Sequence, residues 1–284
     1  MAVAEPATFR LRRGPAPPVA LVPAPHADCG RERGEVDAWA RGHGLEVEVL
    51  RLGEDGDSHG PWQLVVALGG DGTILRALRL GARAGGAPVL GVNLGRVGFL
   101  ADVQPDGLHD ALEAVARGAA RVERRGALRV TVDDGPTVDD AFNDVVLGRR
   151  AGHGSARIAV EAGGTRIVTV IGDGVIVAST LGSTAYTVSA GGPAVSPLLD
   201  TMVLTPVAAN TGPLRSLVLD AGEELRLIGD DDSAPLTIEV DGRTTTEVPP
   251  RARVTISRAA EPALLLRTQT DPFFEHLRDR LVMR

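Results

Sequence analysis

At 284 residues and 29.5 kDa the chain can build one large domain or two modest ones, and 43% hydrophobic against 24% charged residues excludes a disordered chain. A formal net charge of −7 argues against a nucleic-acid partner, and the single cysteine, Cys29, excludes an internal disulfide framework and points to a reducing cytoplasm. All 30 basic residues are arginine, which excludes Schiff-base chemistry and lysine-dependent phosphate sites; any bound phosphate must be held by backbone amides, hydroxyls, arginine and a metal.

The first thirty residues are Pro-rich around a short apolar piece, 19–22, which predicts an opening buried strand. Arg10, Arg12 and Arg13 lead into this segment and not into a signal-peptide core, and no unbroken apolar stretch reaches the roughly 20 residues of a spanning helix, so neither secretion nor membrane insertion is expected. Residues 32–42 have helical character, 45–50 alternate like a strand, and 52–61 form a polar Gly/Asp loop. Leu64–Leu68 is a continuous apolar run, 69–73 a glycine-rich turn and 74–84 a helical pattern, the βα unit of a parallel sheet. It repeats at 88–92, where a second buried strand meets Asn93-Leu94-Gly95-Arg96-Val97-Gly98-Phe99-Leu100, followed by a helix at 108–117. The alternation predicts an α/β N-terminal domain with a Rossmann-like open sheet over 1–120. From about 121 the pattern becomes short β-like pieces between turns, at 127–132, 145–147, 157–161, 167–171, 175–178, 216–219, 224–228, 236–240 and 253–257. These predict an all-β C-terminal domain, a layer or sandwich, over 121–266. The tail from Asp271 through Phe273, Phe274, Leu277 and Leu281 returns to helical spacing, so the C-terminal segment 267–284 is expected to pack on the first domain.

The chemistry starts at Gly69-Gly70-Asp71-Gly72-Thr73. Its glycines allow a sharp turn and close approach of a ligand, and the following helix aims unpaired amides at whatever sits there, which suits an anion. Asp71 repels that anion unless it holds a metal, a hydroxyl proton or a structural amide; as a general base it would take the proton of an attacking hydroxyl. The motif alone is equally compatible with a plain turn. In the same way, Asn143-Asp144 before an apolar run reads as a local Asx turn, 172–174 as a hairpin turn and Tyr186 as a core aromatic. The six histidines show no paired metal-ligand spacing, and no metal ligand is assigned.

The glycine turn resembles the Gly-Gly-Asp-Gly-Thr signature shared by NAD kinases, diacylglycerol and sphingosine kinases and, more distantly, phosphofructokinases. The rest of the chain narrows the resemblance to the NAD kinase family. The 93–100 segment resembles that family's Asn-x-Gly-x-x-Gly-Phe-Leu loop, Asn143-Asp144 its nucleotide-binding pair, and Asp173-Gly174, Gly182-Ser183-Thr184-Ala185-Tyr186 and Ser189-Ala190-Gly191-Gly192-Pro193 its later motifs, in order over about 60–281. The resemblance implies transfer of the γ-phosphoryl of ATP to the adenosine ribose 2′-hydroxyl of NAD, giving NADP, with Mg²⁺ accompanying ATP. It implies Asp71 as base, the amides of Gly69, Gly70, Gly72 and Thr73 around phosphate, and Asn93, Phe99, Asn143, Asp144, Asp173, Ser183, Thr184, Ala185, Tyr186 and Ser189 around nucleotide. A cytoplasmic homodimer or homotetramer is implied as well, its site often completed by a second subunit.

Two departures fall in the substrate half. The family's Thr-Pro-Thr/Ser is Ser179-Thr180-Leu181 here, losing a stiffening proline and a hydroxyl, and its Pro-Ile-x-Pro-His-Ser is Pro206-Val207-Ala208-Ala209-Asn210-Thr211. They keep open a kinase of the same fold acting on another nucleoside or nucleotide hydroxyl. A non-catalytic dinucleotide sensor is the third reading, disfavoured by the intact glycine turn and Asp71.

Overall fold

The structure is a computed structural model and describes residues 7–12, 16–25, 27–51, 60–95, 98–101, 103–133, 135, 138, 140–210, 214–269 and 273–282. Arg13, Arg96, Val97, Thr211, Asp271 and most of the 52–61 loop lie outside the described residues. The chain forms two units, Met1–Arg125 with Pro262–Arg284, and Gly126–Glu261.

The first unit runs β1 (Val19–Pro23), α1 (Gly30–Gly42), β2 (Val47–Val49), β3 (Leu64–Leu68), α2 (Asp71–Arg83), β4 (Val89–Val92), α3 (Leu108–Ala116) and β5 (Arg121–Arg125). The second carries β6 (Leu128–Val132), β7 (Asp144–Arg149), β8 (Ala156–Ala162), β9 (Thr165–Gly172), β10 (Gly174–Ser179), the single turn α4 (Tyr186–Ser189), β11 (Thr201–Val207), β12 (Leu217–Asp220), β13 (Leu225–Gly229), β14 (Leu236–Val240), β15 (Arg243–Val248) and β16 (Arg253–Arg258). The chain then returns to the first unit with β17 (Ala263–Arg267) and α5 (Phe273–Val282).

In the first unit the strands are ordered β2-β1-β3-β4-β17-β5, parallel from β2 to β17 with β5 antiparallel at the edge. β3 and β4 are buried along their whole length, which is why they are written as unbroken apolar runs without alternation. α2 buries Ile74, Leu75, Ala77, Leu78 and Leu80. The chain passes from β1 to β2 on one side and then crosses to β3 on the other, so the order of the sheet switches between β1 and β3. Ligands of open parallel sheets sit outside the carboxyl ends of the strands at such a switch. The glycine turn follows β3 directly and therefore lies there.

The second unit is a sandwich. One antiparallel sheet is ordered β12-β11-β10-β7-β14-β15 and the other β6-β16-β13-β8-β9, and one apolar core draws on alternate residues of both, from Val130 and Ile158 to Val177, Leu204 and Ile238. The α/β-then-β architecture agrees with the pattern of the sequence. Two expectations change. Residues 69–73 do not form a turn throughout, because the helix begins at Asp71 with Gly70 as its N-cap. Residues 121–125 and 263–266, grouped by sequence pattern with the β-rich domain, lie in β5 and β17, which pair with each other and, through β17, with β4, so hydrogen bonding assigns them to the first unit.

Candidate active site

Asp71 is the first residue of α2 and is partly exposed. Its carboxylate turns back toward the segment that follows β4: Oδ2 accepts from the amide of Phe99 at 3.1 Å and Oδ1 from that of Leu100 at 3.1 Å. Gly98 makes this approach possible, since a Cβ there would occupy the place of the Asp71 carboxylate. The structural amide that a carboxylate needs beside a phosphate cradle is thus present twice, and the remaining lone pairs stay available for a proton.

Only part of the expected cradle is open. The amide of Gly69 is spent on Val92 O at 2.9 Å and that of Thr73 on Gly70 O at 2.9 Å, because the first turns inward to close the sheet and the second forms the first turn of the helix. The amides of Gly70, Asp71 and Gly72 make no bond among the described residues, and a Cβ at Gly70 or Gly72 would meet nothing within 4 Å. Three open donors at a helix N-terminus suit an anion.

Asn93, at the end of β4, is 2% exposed. Its Oδ1 accepts from Gly95 N at 3.1 Å, whereas its Nδ2 is buried and without a partner. An orphaned buried donor costs free energy and asks for an acceptor from a ligand or water. Phe99 adds a ring 5.8 Å from Phe273 and 6.2 Å from His276 of α5, so the closing helix leans on the same loop that holds Asp71.

In the second unit Asn143 and Asp144 open β7. Asp241, at positive φ (48°), turns its carboxylate onto their backbone, accepting from Phe142 N at 3.1 Å, Asn143 N at 2.7 Å and Asp144 N at 3.2 Å. The turn at 181–186 is bound to the same place: Ser179 Oγ donates to Phe142 O at 2.5 Å and accepts from Gly182 N at 3.2 Å, and a Cβ on Gly182 would strike the backbone of Asn143. Asp144 is 5% exposed and accepts from the amide of Tyr186. Burial first, then the Asp241 and Glu239 carboxylates, push its carboxyl up to about 7, against the pull of that amide. Near neutrality it is therefore divided between a donor and an acceptor form.

The other expected residues separate into three groups. Ser183 is fully buried and its hydroxyl is used internally, donating to Thr180 O at 2.8 Å and accepting from Val195 N at 3.0 Å, so it shapes the turn. Thr184 is buried and donates to Leu181 O at 3.4 Å, while Ala185 is partly exposed. Tyr186, at 44%, and Ser189 are exposed, the Ser189 hydroxyl donating to Ala185 O at 3.4 Å; Tyr186 is thus no core aromatic. Asp173 is not brought to this cluster. It precedes β10, whose other end pairs Ala178 with Asp144, roughly 17 Å away at ~3.3 Å per residue. There its Oδ1 accepts from Arg149 Nε at 2.6 Å, and the departing residue Asn210 lies at the same end, its amide donating to Ile171 O at 2.9 Å.

The lost proline has a visible substitute. Thr180 Oγ1 donates to Leu199 O at 2.9 Å and accepts from Thr201 N at 3.0 Å, tying down the turn that the ring would stiffen. Sequence reasoning missed Thr180, Asp241 and Ser179 as supports. Of these only Asp241 stood in a motif, Val240-Asp241-Gly242-Arg243, which resembles a family Asp-Gly-Gln/Arg turn.

A carboxylate held beside open helix-terminal amides, at the switch point of a parallel sheet, suits a phosphotransferase. The model of the ATP-NAD kinase N-terminal domain matches residues 55–120 and that of the ATP-NAD kinase C-terminal domain residues 142–268. The NAD kinase of Moorella thermoacetica is 40% identical over 219 residues, covering 76% of this chain and 70% of its own, and that of Caldanaerobacter subterraneus is 34% identical over 260 residues, covering 87% and 92%. Among solved structures, an NAD kinase from Archaeoglobus fulgidus in complex with ATP superposes with a TM-score of 0.75 at 27% identity over 93% of this chain and 98% of that one. Yeast NADH kinase complexed with NADH gives 0.80 at 21% identity over 98% and 89%, a likeness of fold. The chain belongs to the NAD kinase family.

Proposed function

We infer that this protein is an ATP-dependent NAD kinase that transfers the γ-phosphoryl of ATP to the adenosine ribose 2′-hydroxyl of NAD, yielding NADP and ADP. The reading is carried by one observation: the Asp71 carboxylate, fixed by two amides, stands at the head of a helix whose next donors are open. Phosphate oxygens would accept from the amides of Gly70, Asp71 and Gly72. Asp71 would take the proton as the 2′-oxygen bonds to the γ-phosphorus and the bond to the β,γ-bridging oxygen breaks, the electrons leaving with ADP. The free Nδ2 of Asn93 supports a nucleotide or phosphate acceptor beside β4. In the second unit the Asn143 amide would meet a base edge, Asp144 a ribose hydroxyl, and Tyr186 and Ser189 the remainder of the dinucleotide.

Among the described residues no group of three or more His, Cys, Asp and Glu side chains is arranged to hold a metal. Mg²⁺ would arrive on the triphosphate, since this ion keeps several waters and is commonly bound through phosphates with one or two carboxylates. When bound it supplies neutralising charge on the phosphates, which a lysine-free site otherwise draws from backbone dipoles. A homo-oligomer in the cytoplasm completes the proposal. The single cysteine fits a reducing compartment, and exposed Leu198, Leu199 and Val218 beside the edge strand β12 offer a contact surface. Asp173, placed away from its own Asp144, would then serve a site in another copy.

Asp71→Asn tests the reading. It preserves the acceptors for Phe99 and Leu100 in part and removes the base, so turnover is expected to fall by about 10²- to 10⁴-fold with ATP binding retained. Near-normal turnover, measured as NADP formed from ATP, Mg²⁺ and NAD, would remove Asp71 from the chemistry.

A further inference from the structure

The loop that fixes Asp71 is itself held from behind. Arg267, the last residue of β17, is 2% exposed. Its Nη2 donates to Phe99 O at 3.4 Å and its Nη1 to Leu100 O at 3.2 Å and Ala101 O at 3.4 Å. The peptide group joining Phe99 to Leu100 therefore gives its N–H to the Asp71 carboxylate and its carbonyl to the Arg267 guanidinium. In a trans peptide these two groups point in opposite directions. The carboxylate and the guanidinium thus grip one amide from its two faces, and each polarises it in favour of the other.

Arg267 is oriented in turn. Its Nε donates to Glu123 Oε2 at 3.0 Å, and Glu123, on the neighbouring strand β5, also accepts from Arg125 Nη2 at 2.6 Å and Arg121 Nη2 at 3.1 Å. Burial alone would raise the Glu123 carboxyl, but Arg267, Arg125 and Arg121 outweigh it and hold it below its ordinary value, so it stays ionised. A planar guanidinium can reach three carbonyls and a carboxylate from one position; an ammonium cannot.

We propose that Arg267, oriented by Glu123, is a positioning residue for phosphoryl transfer, setting the 99–101 backbone so that its amides hold the Asp71 carboxylate at the attacking hydroxyl. This rests on the reading of Asp71 as base. Arg267→Met alone would change the net charge of the cluster around Glu123, which keeps Arg125 and Arg121 as partners, so the decisive variant removes one charge of each sign, Arg267→Met with Glu123→Gln, whose amide oxygen can still accept from Arg125; Arg267→Lys is its conservative companion. In the full-length protein, with folding checked by thermal melting, the double variant is expected to lose roughly tenfold to 10²-fold in kcat, while KM for ATP and NAD changes by no more than about threefold. Amide exchange at Phe99 and Leu100 is expected to speed up by about tenfold or more, and Arg267→Lys to fall between the double variant and the parent on both readouts.

Parent-like kcat, or a lower kcat with unchanged exchange at those two amides, in either variant would overturn the positioning role. Failure of the underlying reading looks different: Asp71→Asn would turn over normally whatever the exchange data gave.

Discussion

Asp144, proposed to meet a ribose hydroxyl, also carries a stability cost. With its carboxyl raised from 3.8 to about 7, chiefly by burial, the folded protein holds a proton that the unfolded chain has released over that interval. The folded state then binds more protons, so stability falls as pH rises from about 4 to about 7 and levels off above, at about 1.4 kcal/mol for each pH unit crossed. Asp144→Asn keeps an acceptor for the Tyr186 amide and removes the titration. Thermal melts between pH 5 and pH 8 are expected to show the slope in the parent and a flatter profile, with a higher melting temperature at pH 8, in the variant. A parent-like slope in the variant would assign the titration to other groups. The neighbouring Leu181 carries a smaller consequence: the hydroxyl its position lacks is the kind of contact worth about 1 kcal/mol, so Leu181→Thr should raise kcat/KM for NAD severalfold if that contact limits recognition. Unchanged kinetics would mean that the turn has been rebuilt around leucine, as the bonds of Thr180 to 199 and 201 already indicate for the missing proline.

At the level of elements, the 98–101 loop is held from two sides, by the carboxylate on α2 and the guanidinium on β17. Gly98→Ala would drive a methyl into the Asp71 carboxylate, so it should lower kcat by about 10²-fold while leaving the melting transition cooperative. Activity retained within about threefold would show that the loop yields without consequence. The strands that frame this loop were unequally legible. β3 and β4 announce themselves as apolar runs because both faces are buried, and α2 by its 3.6-residue period. β5, Arg-Val-Glu-Arg-Arg, has no apolar run to announce it, and its pairing with β17, which sets Glu123 beside Arg267, 144 positions away, is what makes it a sheet strand. β11 is disguised by Pro206, which sits near its end opposite Val175. The same distance in sequence hides the site's supports. Asp71, Asn143 and Asp144 were visible as motifs, whereas the amides of 99 and 100 that hold Asp71, and Asp241 that holds 142–144 from almost a hundred residues away, come together only by folding.

Across the whole molecule, the second unit is an insertion into the edge of the first. β5 ends at Arg125 and β17 begins at Ala263, and these two residues are directly opposed in an antiparallel pair. Neighbouring strands lie about 5 Å apart, so the two points where the chain leaves and re-enters the first sheet can be bridged by a two-residue hairpin turn. Replacing 126–262 by Asn-Gly keeps β5, β17, Arg267, Glu123 and Asp71 in one chain and deletes Asn143, Asp144 and Tyr186. Such a chain is expected to melt cooperatively, to show slow amide exchange at Phe99 and Leu100 because every group that fixes them is retained, and to form no NADP. Fast exchange at these two amides, in a chain that still melts cooperatively, would mean that the grip on Asp71 depends on the β-rich unit and is not a property of the α/β unit alone. Loss of the cooperative transition would show that the parallel sheet requires its insertion in order to fold.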